Sequence, residues 1–119
     1  TENYSSTKSC FMILIFKYIF PKRYVGLTLW PVIILKENRL KEDDVLINHE
    51  RIHLKQQLEL FILPFYIWYL IEWLIGVMRF RNFNEAYRNI SFEKEAYQNE
   101  RNLNYIKERP FWGFLSYLF

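Results

Sequence analysis

The stretch Asp43-Asp44-Val45-Leu46-Ile47-Asn48-His49-Glu50-Arg51-Ile52-His53-Leu54-Lys55-Gln56-Gln57-Leu58-Glu59-Leu60 decides how the chain is read. Leu46, His49, Ile52, His53, Gln56 and Leu60 recur at helical spacing, which predicts a helix from Val45 to Leu63, ended by Pro64. Asp43 or Asp44 caps its start by accepting from the orphan amides of the first turn. His49 and His53 are the only histidines of the chain. At positions i and i+4 they share one helix face, so both imidazoles can converge on a single ion. Glu50 lies off that pair, in the place of a general base toward water at the ion.

A catalytic zinc takes three protein ligands and keeps a fourth position open. There is no further histidine and no usable cysteine nearby, so the third ligand must be a carboxylate. Glu59 follows on the same helix and points away from the histidine face. Glu72 sits in an apolar helix, where a carboxylate needs a partner, and Arg79 or Arg81 is expected to supply it. Further on come Glu85, Glu93, Glu95, Glu100 and Glu108. Local chemistry does not choose between Glu93 and Glu95.

Around this helix the chain reads as one domain, residues 1–119, of α+β class and predominantly helical. The segment from Tyr4 to Phe20 is an apolar element whose type the pattern leaves open, a helix being one reading. Tyr24 to Leu35 is apolar and β-branched with Pro31 inside it, which predicts an edge strand, or two short strands broken at Pro31. A second long helix from Phe65 to Phe80 is apolar on most of its circumference and so is buried or faces a membrane. A third helix is expected from Ser91, its cap, to Glu108, ahead of Pro110. Glu85-Ala-Tyr-Arg-Asn89 echoes in Glu95-Ala-Tyr-Gln-Asn99, a local similarity rather than a repeat. The aromatic tail, Phe111 to Phe119, is expected to fold back onto the core.

Of 119 residues 51% are apolar and 20% aromatic, with 3 Gly and 4 Pro, which excludes a disordered chain and a turn-rich β-sandwich. A formal charge of +3 is too small to indicate nucleic acid. The single cysteine, Cys10, can form no internal disulfide and reads as a buried structural thiol in a reducing compartment. Cys10 to Phe16 has neither the basic leader nor the small-residue cleavage site of a signal peptide. The uncharged run Leu60 to Ile71 is shorter than the roughly 20 residues of a spanning helix. The expectation is a cytoplasmic protein that touches a membrane surface, if at all, peripherally through its aromatic segments.

His49-Glu-x-x-His53 on one helix, with Glu93-Lys-Glu-Ala96 on a later one, resembles the gluzincin metallopeptidases. In size the chain is most similar to the minigluzincins, single small domains that mimic the catalytic cores of two integral-membrane groups. Those are the CAAX-prenyl-protease/heat-shock membrane peptidases and the β-lactam-sensor antirepressor peptidases. The likeness spans roughly Val25 to Glu100 and rests on the two motifs. It implies zinc held by His49, His53 and Glu93, because the glutamate three before the alanine is the ligand. Glu85-Ala86 has Phe83 at that place, and Glu95 is the runner-up. It implies Glu50 as the base that takes a proton from water and passes it to the leaving amine. It also implies an edge strand above the metal, here Leu27 to Leu35, along which an extended peptide adds by backbone pairing. The aspartate that commonly follows the alanine is Tyr97 here. One turn after Glu93, Tyr97 is the further catalytic candidate, to orient a ligand or donate to the oxyanion, beside Tyr87 and Arg88.

The resemblance implies a zinc metallopeptidase acting on an extended peptide or protein, in a minimal zincin-like fold. Because a small domain has little wall to build a closed cleft, a terminus is expected to be able to cover the site and hold the enzyme latent. The competing reading is a non-catalytic zinc-containing helical domain whose aromatic surface binds a partner protein or a membrane. That reading has no use for Glu50.

Overall fold

The computed structural model describes residues 12–20 and 24–118, so Cys10 lies outside the described residues. The architecture is α+β and mostly helical, with a small sheet on the N-terminal side. Helix α1 (Asp44–Glu59) carries both histidines, and Asp43 is its cap, the carboxylate accepting from the Leu46 amide at 3.1 Å. It stops at Glu59 rather than Leu63, because the chain turns at Phe61 and Ile62, both at positive φ. Pro64 does not kink it. Instead Pro64 falls in the first turn of α2 (Leu63–Phe80), where a missing N–H is no loss.

The N-terminal element is a strand. β1 (Met12–Ile15) pairs parallel with β3 (Val32–Leu35), and β2 (Gly26–Leu29) pairs antiparallel with β3, in the order β1-β3-β2. Met-Ile-Leu-Ile has no polar position to define a helical stripe, and its branched side chains suit extended backbone. Tyr24 to Leu35 is therefore two strands, with β2 at the edge and β3 central. Pro31 sits in the turn between them, so no ladder position loses its donor, and its carbonyl accepts from the Met12 amide at 2.9 Å.

The inner face of the sheet lies on α1, where Ile33, Leu35, Leu40, Ile47 and Leu54 form one core cluster. A second cluster of Leu60, Phe65, Ile90, Phe92 and Phe114 joins α2 to α4 (Ser91–Asn99). Between those helices lies α3 (Phe83–Arg88), which apolar periodicity does not reveal. Its signal is Asn82-x-x-Glu85: the Asn82 side chain accepts from the Glu85 amide at 3.0 Å. The helices α2 and α3 approach so closely that a Cβ on Gly76 would stand 2.9 Å from Ala86.

The expected third helix is divided into α4 and α5 (Tyr105–Glu108). Asn48 of α1 donates to the carbonyls of Glu100 at 2.8 Å and Asn102 at 3.0 Å, holding the chain in the turn that separates them. Ser91 opens α4 without capping it. Glu72 of α2 does that work, accepting the Ser91 amide at 2.7 Å and the Ser91 hydroxyl at 2.5 Å. Glu72 thus finds its partner at a helix N-terminus and not in Arg79 or Arg81. The two Glu-Ala-Tyr copies fall on α3 and α4, with Ala86 and Ala96 fully buried and the Tyr87 and Tyr97 hydroxyls 3.0 Å apart.

The tail folds back. Phe114, in the 3-10 turn Gly113–Tyr117, is fully buried, with its ring 4.6 Å from Phe92 and 5.1 Å from Trp68. Phe114→Ala is expected to cost about 3–5 kcal/mol in urea unfolding, and a cost under about 1 kcal/mol would remove the tail from the core.

Candidate metal centre

One turn of α1 separates His49 from His53, and the first turn of α4 delivers Glu93 to the same point. The two Nε2 atoms are 3.2 Å apart, and Glu93 Oε1 lies 3.3 Å from that of His49 and 3.1 Å from that of His53. All three residues are buried. A tetrahedral ion with ligand bonds of roughly 2.0–2.1 Å sets its ligand atoms about 3.3–3.4 Å apart. The spacing fits.

The other ring nitrogens fix the tautomers. His49 Nδ1 is 2.8 Å from Glu100 Oε1, a carboxylate that only accepts, so Nδ1 carries the proton. His53 Nδ1 is 2.8 Å from Gln56 Oε1. Gln56 cannot turn over, because its amide nitrogen donates to the Phe92 carbonyl at 3.0 Å and to Glu95 Oε1 at 2.9 Å. Each Nε2 therefore faces the Glu93 oxygen and offers it a lone pair whenever its ring is neutral. Three electron-rich atoms buried this close repel one another unless a cation lies among them.

Protons can meet the same demand. Burial disfavours charge on His49, but Glu100, Glu93 and Glu50 outweigh it and hold His49 up to about 10. Burial opposes charge on His53 as well, and the Glu93 carboxylate raises it nonetheless. Against its own burial, Glu93 is held well below the usual carboxylate range by His53 and His49. A buried His-His-Glu group of this kind can hold a metal ion.

Glu93 Oε2 accepts from the Tyr69 hydroxyl at 2.7 Å. Burial and the Glu93 charge push that hydroxyl up, which keeps it a donor. Tyr97 stands edge-on to His49, with ring centroids 4.6 Å apart, and its own ring lies 4.5 Å under the Arg88 guanidinium. Its hydroxyl is engaged by Tyr87. Of the two roles anticipated for Tyr97, this position suits ligand orientation.

Glu95 is elsewhere. Fully buried, it accepts from Tyr105 at 2.7 Å and from Arg109 Nε at 2.6 Å, while Arg109 also binds Glu59 at 2.7 Å. Glu95 reaches the triad only through Gln56. Sequence reasoning placed Glu100 only among the downstream carboxylates and gave no role to Gln56 or Tyr69. Glu100 had a signal, since it follows Glu93 by two turns on the face that also carries Tyr97. Tyr69 had none, because only the packing of α2 against α4 brings it there.

A cavity of about 360 Å³ opens over the triad, walled by Glu50, Leu27, Phe65, Tyr66 and Tyr87, among others. Phe20 and Tyr24 also line it, and no described residue of the tail does. Glu50 is buried, and Thr28 donates to its Oε1 at 2.6 Å. Gly26 makes room for the carboxylate, since a Cβ there would lie 3.0 Å from Oε2. The edge of β2 is partly occupied. Gln57 donates to the Thr28 carbonyl at 2.8 Å and accepts from the Trp30 amide at 2.6 Å, and the Tyr66 hydroxyl donates to the same carbonyl. One side-chain amide thus fills the place of a paired peptide, and the open part of the edge lies toward Gly26.

No family model matches the chain, and no curated protein or solved structure matches it either. The site stands on its own geometry.

Glu93→Gln is expected to lose bound metal. Glu95→Gln should keep it while losing roughly 3 kcal/mol of stability, the cost of breaking a buried ion pair. Metal analysis beside thermal unfolding separates the two. Glu100→Gln should weaken metal binding about 10–100-fold through loss of the His49 orientation. Protons and metal compete for the same Nε2 atoms, so affinity should fall as pH is lowered, with protons released on binding at about pH 7. Uptake without proton release in a weakly buffered solution would contradict the site.

Proposed function

We propose that this chain is a zinc-dependent peptidase in which His49, His53 and Glu93 hold the ion and Glu50 is the general base. Two imidazoles and one carboxylate form a donor set suited to zinc that leaves a fourth position free. The observation that carries the reading is Glu50: adjacent in sequence to a ligand, outside the ligand set, and fixed at the wall of the cavity over the triad. A purely structural ion has no need of a base there. Zinc, when bound, supplies Lewis acidity that polarises a scissile carbonyl and makes water a nucleophile near neutral pH.

The chain's own residues supply the rest. Thr28 ties one oxygen of Glu50, which leaves the other to accept a proton from water and return it to the leaving amine. Tyr87 lines the cavity and serves as the oxyanion donor when Tyr97 donates in the bond between their hydroxyls, with Tyr97 also standing against His49. An extended peptide pairs with β2 near Gly26 and not past Thr28, where Gln57 and Tyr66 already sit. Leu27, Phe65 and Tyr66 favour a bulky apolar side chain in the cavity.

Zinc-loaded protein should cleave unstructured, apolar-rich peptides. Glu50→Gln should retain zinc and lose hydrolysis by about 10²–10⁴-fold. Hydrolysis that survives Glu50→Gln, or its absence from zinc-loaded wild type across a broad peptide set, would overturn the proposal.

A further inference from the structure

We propose that the outward face of α2 seats the chain on an anionic lipid bilayer. The helix has 18 residues with a mean hydropathy of 1.2, yet only Phe65 and Gly76 among them are buried. Its aromatic side, with Phe65, Tyr66, Trp68, Tyr69 and Trp73, is turned to the second core cluster. Among the described residues, none covers its aliphatic side. Ile67, Leu70, Ile71, Leu74, Ile75 and Met78 are 45–77% exposed. Phe61 and Leu63, 82% and 68% exposed, extend the stripe at its N-terminal end. Recurring at helical spacing, these residues form one continuous apolar stripe, and a large exposed apolar surface marks an interaction site.

Charge selects the occupant. The one acid of α2, Glu72, faces inward and is bound by Ser91, so the outward stripe carries no negative charge. Cations stand at one end, with Arg79 and Arg81 both exposed. A second copy would meet them badly in either orientation. A parallel pair sets arginines against arginines, and an antiparallel pair sets them beside Phe61 and Leu63. A bilayer offers hydrocarbon to the stripe and phosphate to the guanidinium groups at once. Of the aromatic segments anticipated as the contact, Phe61, Phe111 and Trp112 are exposed, while Phe65, Tyr66, Trp68, Tyr69 and Trp73 pack on the second core cluster.

The test is flotation of the full chain with phosphatidylglycerol-rich vesicles and with phosphatidylcholine vesicles. The chain should float with the anionic vesicles. The double substitution Leu70→Glu/Leu74→Glu, at exposed positions, should weaken binding at least about tenfold with an unchanged circular dichroism spectrum. Arg79→Glu/Arg81→Glu should weaken binding to the anionic vesicles alone. A chain that leaves both vesicle types unbound overturns the proposal, as does binding that survives the leucine substitutions. A dimer in sedimentation, dissociated by those substitutions and indifferent to vesicles, would assign the face to a second copy instead.

Discussion

Two imidazole nitrogens and a carboxylate oxygen, buried within 3.3 Å of one another, can be held there only around a positive charge. Much of the fold serves that convergence. The helical repeat of α1 puts His49 over His53, and α4 must then arrive with its first turn against the same face to bring Glu93. Glu72 fixes that arrival from α2 by binding the Ser91 amide and hydroxyl, two residues before the ligand. The cap of a short helix thereby sets the position of a ligand.

Around the three atoms runs a shell that leaves them little freedom. Glu100 and Gln56 take the outer nitrogens of the two rings, and Tyr69 takes the outer oxygen of Glu93. Gln56 is oriented in turn by Glu95, which Arg109 and Tyr105 hold in the interior. This continuous path of hydrogen bonds runs from the last described helix to His53. Preorganisation of this kind lets a small chain present a site without a large cleft to shape it.

The legible parts of the site were those within one helix or one short motif. His49 and His53 follow from helical spacing and Glu50 from its place in their motif, while the cap was legible only as Asp43 or Asp44. Glu93 and Glu95 looked equivalent because local spacing cannot tell which face of α4 meets α1; that depends on the packing of Phe92 and Ala96 in the interior. The strand β1 was hidden because an unbroken apolar run has no period, and its partner β3 lies across a connection. The break between α4 and α5 was hidden for a similar reason, since Asn48 imposes it from another helix. Gln57, which sits on the β2 edge, reads in the sequence as one more polar residue of a helix.

A metal centre built from α1 and α4 is the claim on which the functional reading rests. X-ray absorption at the zinc edge of the reconstituted full chain tests it most directly. The account predicts a first shell of nitrogen and oxygen at about 2.0–2.1 Å, with imidazole scattering and no sulfur. Failure to retain zinc, or a sulfur scatterer at about 2.3 Å from Cys10, would contradict it.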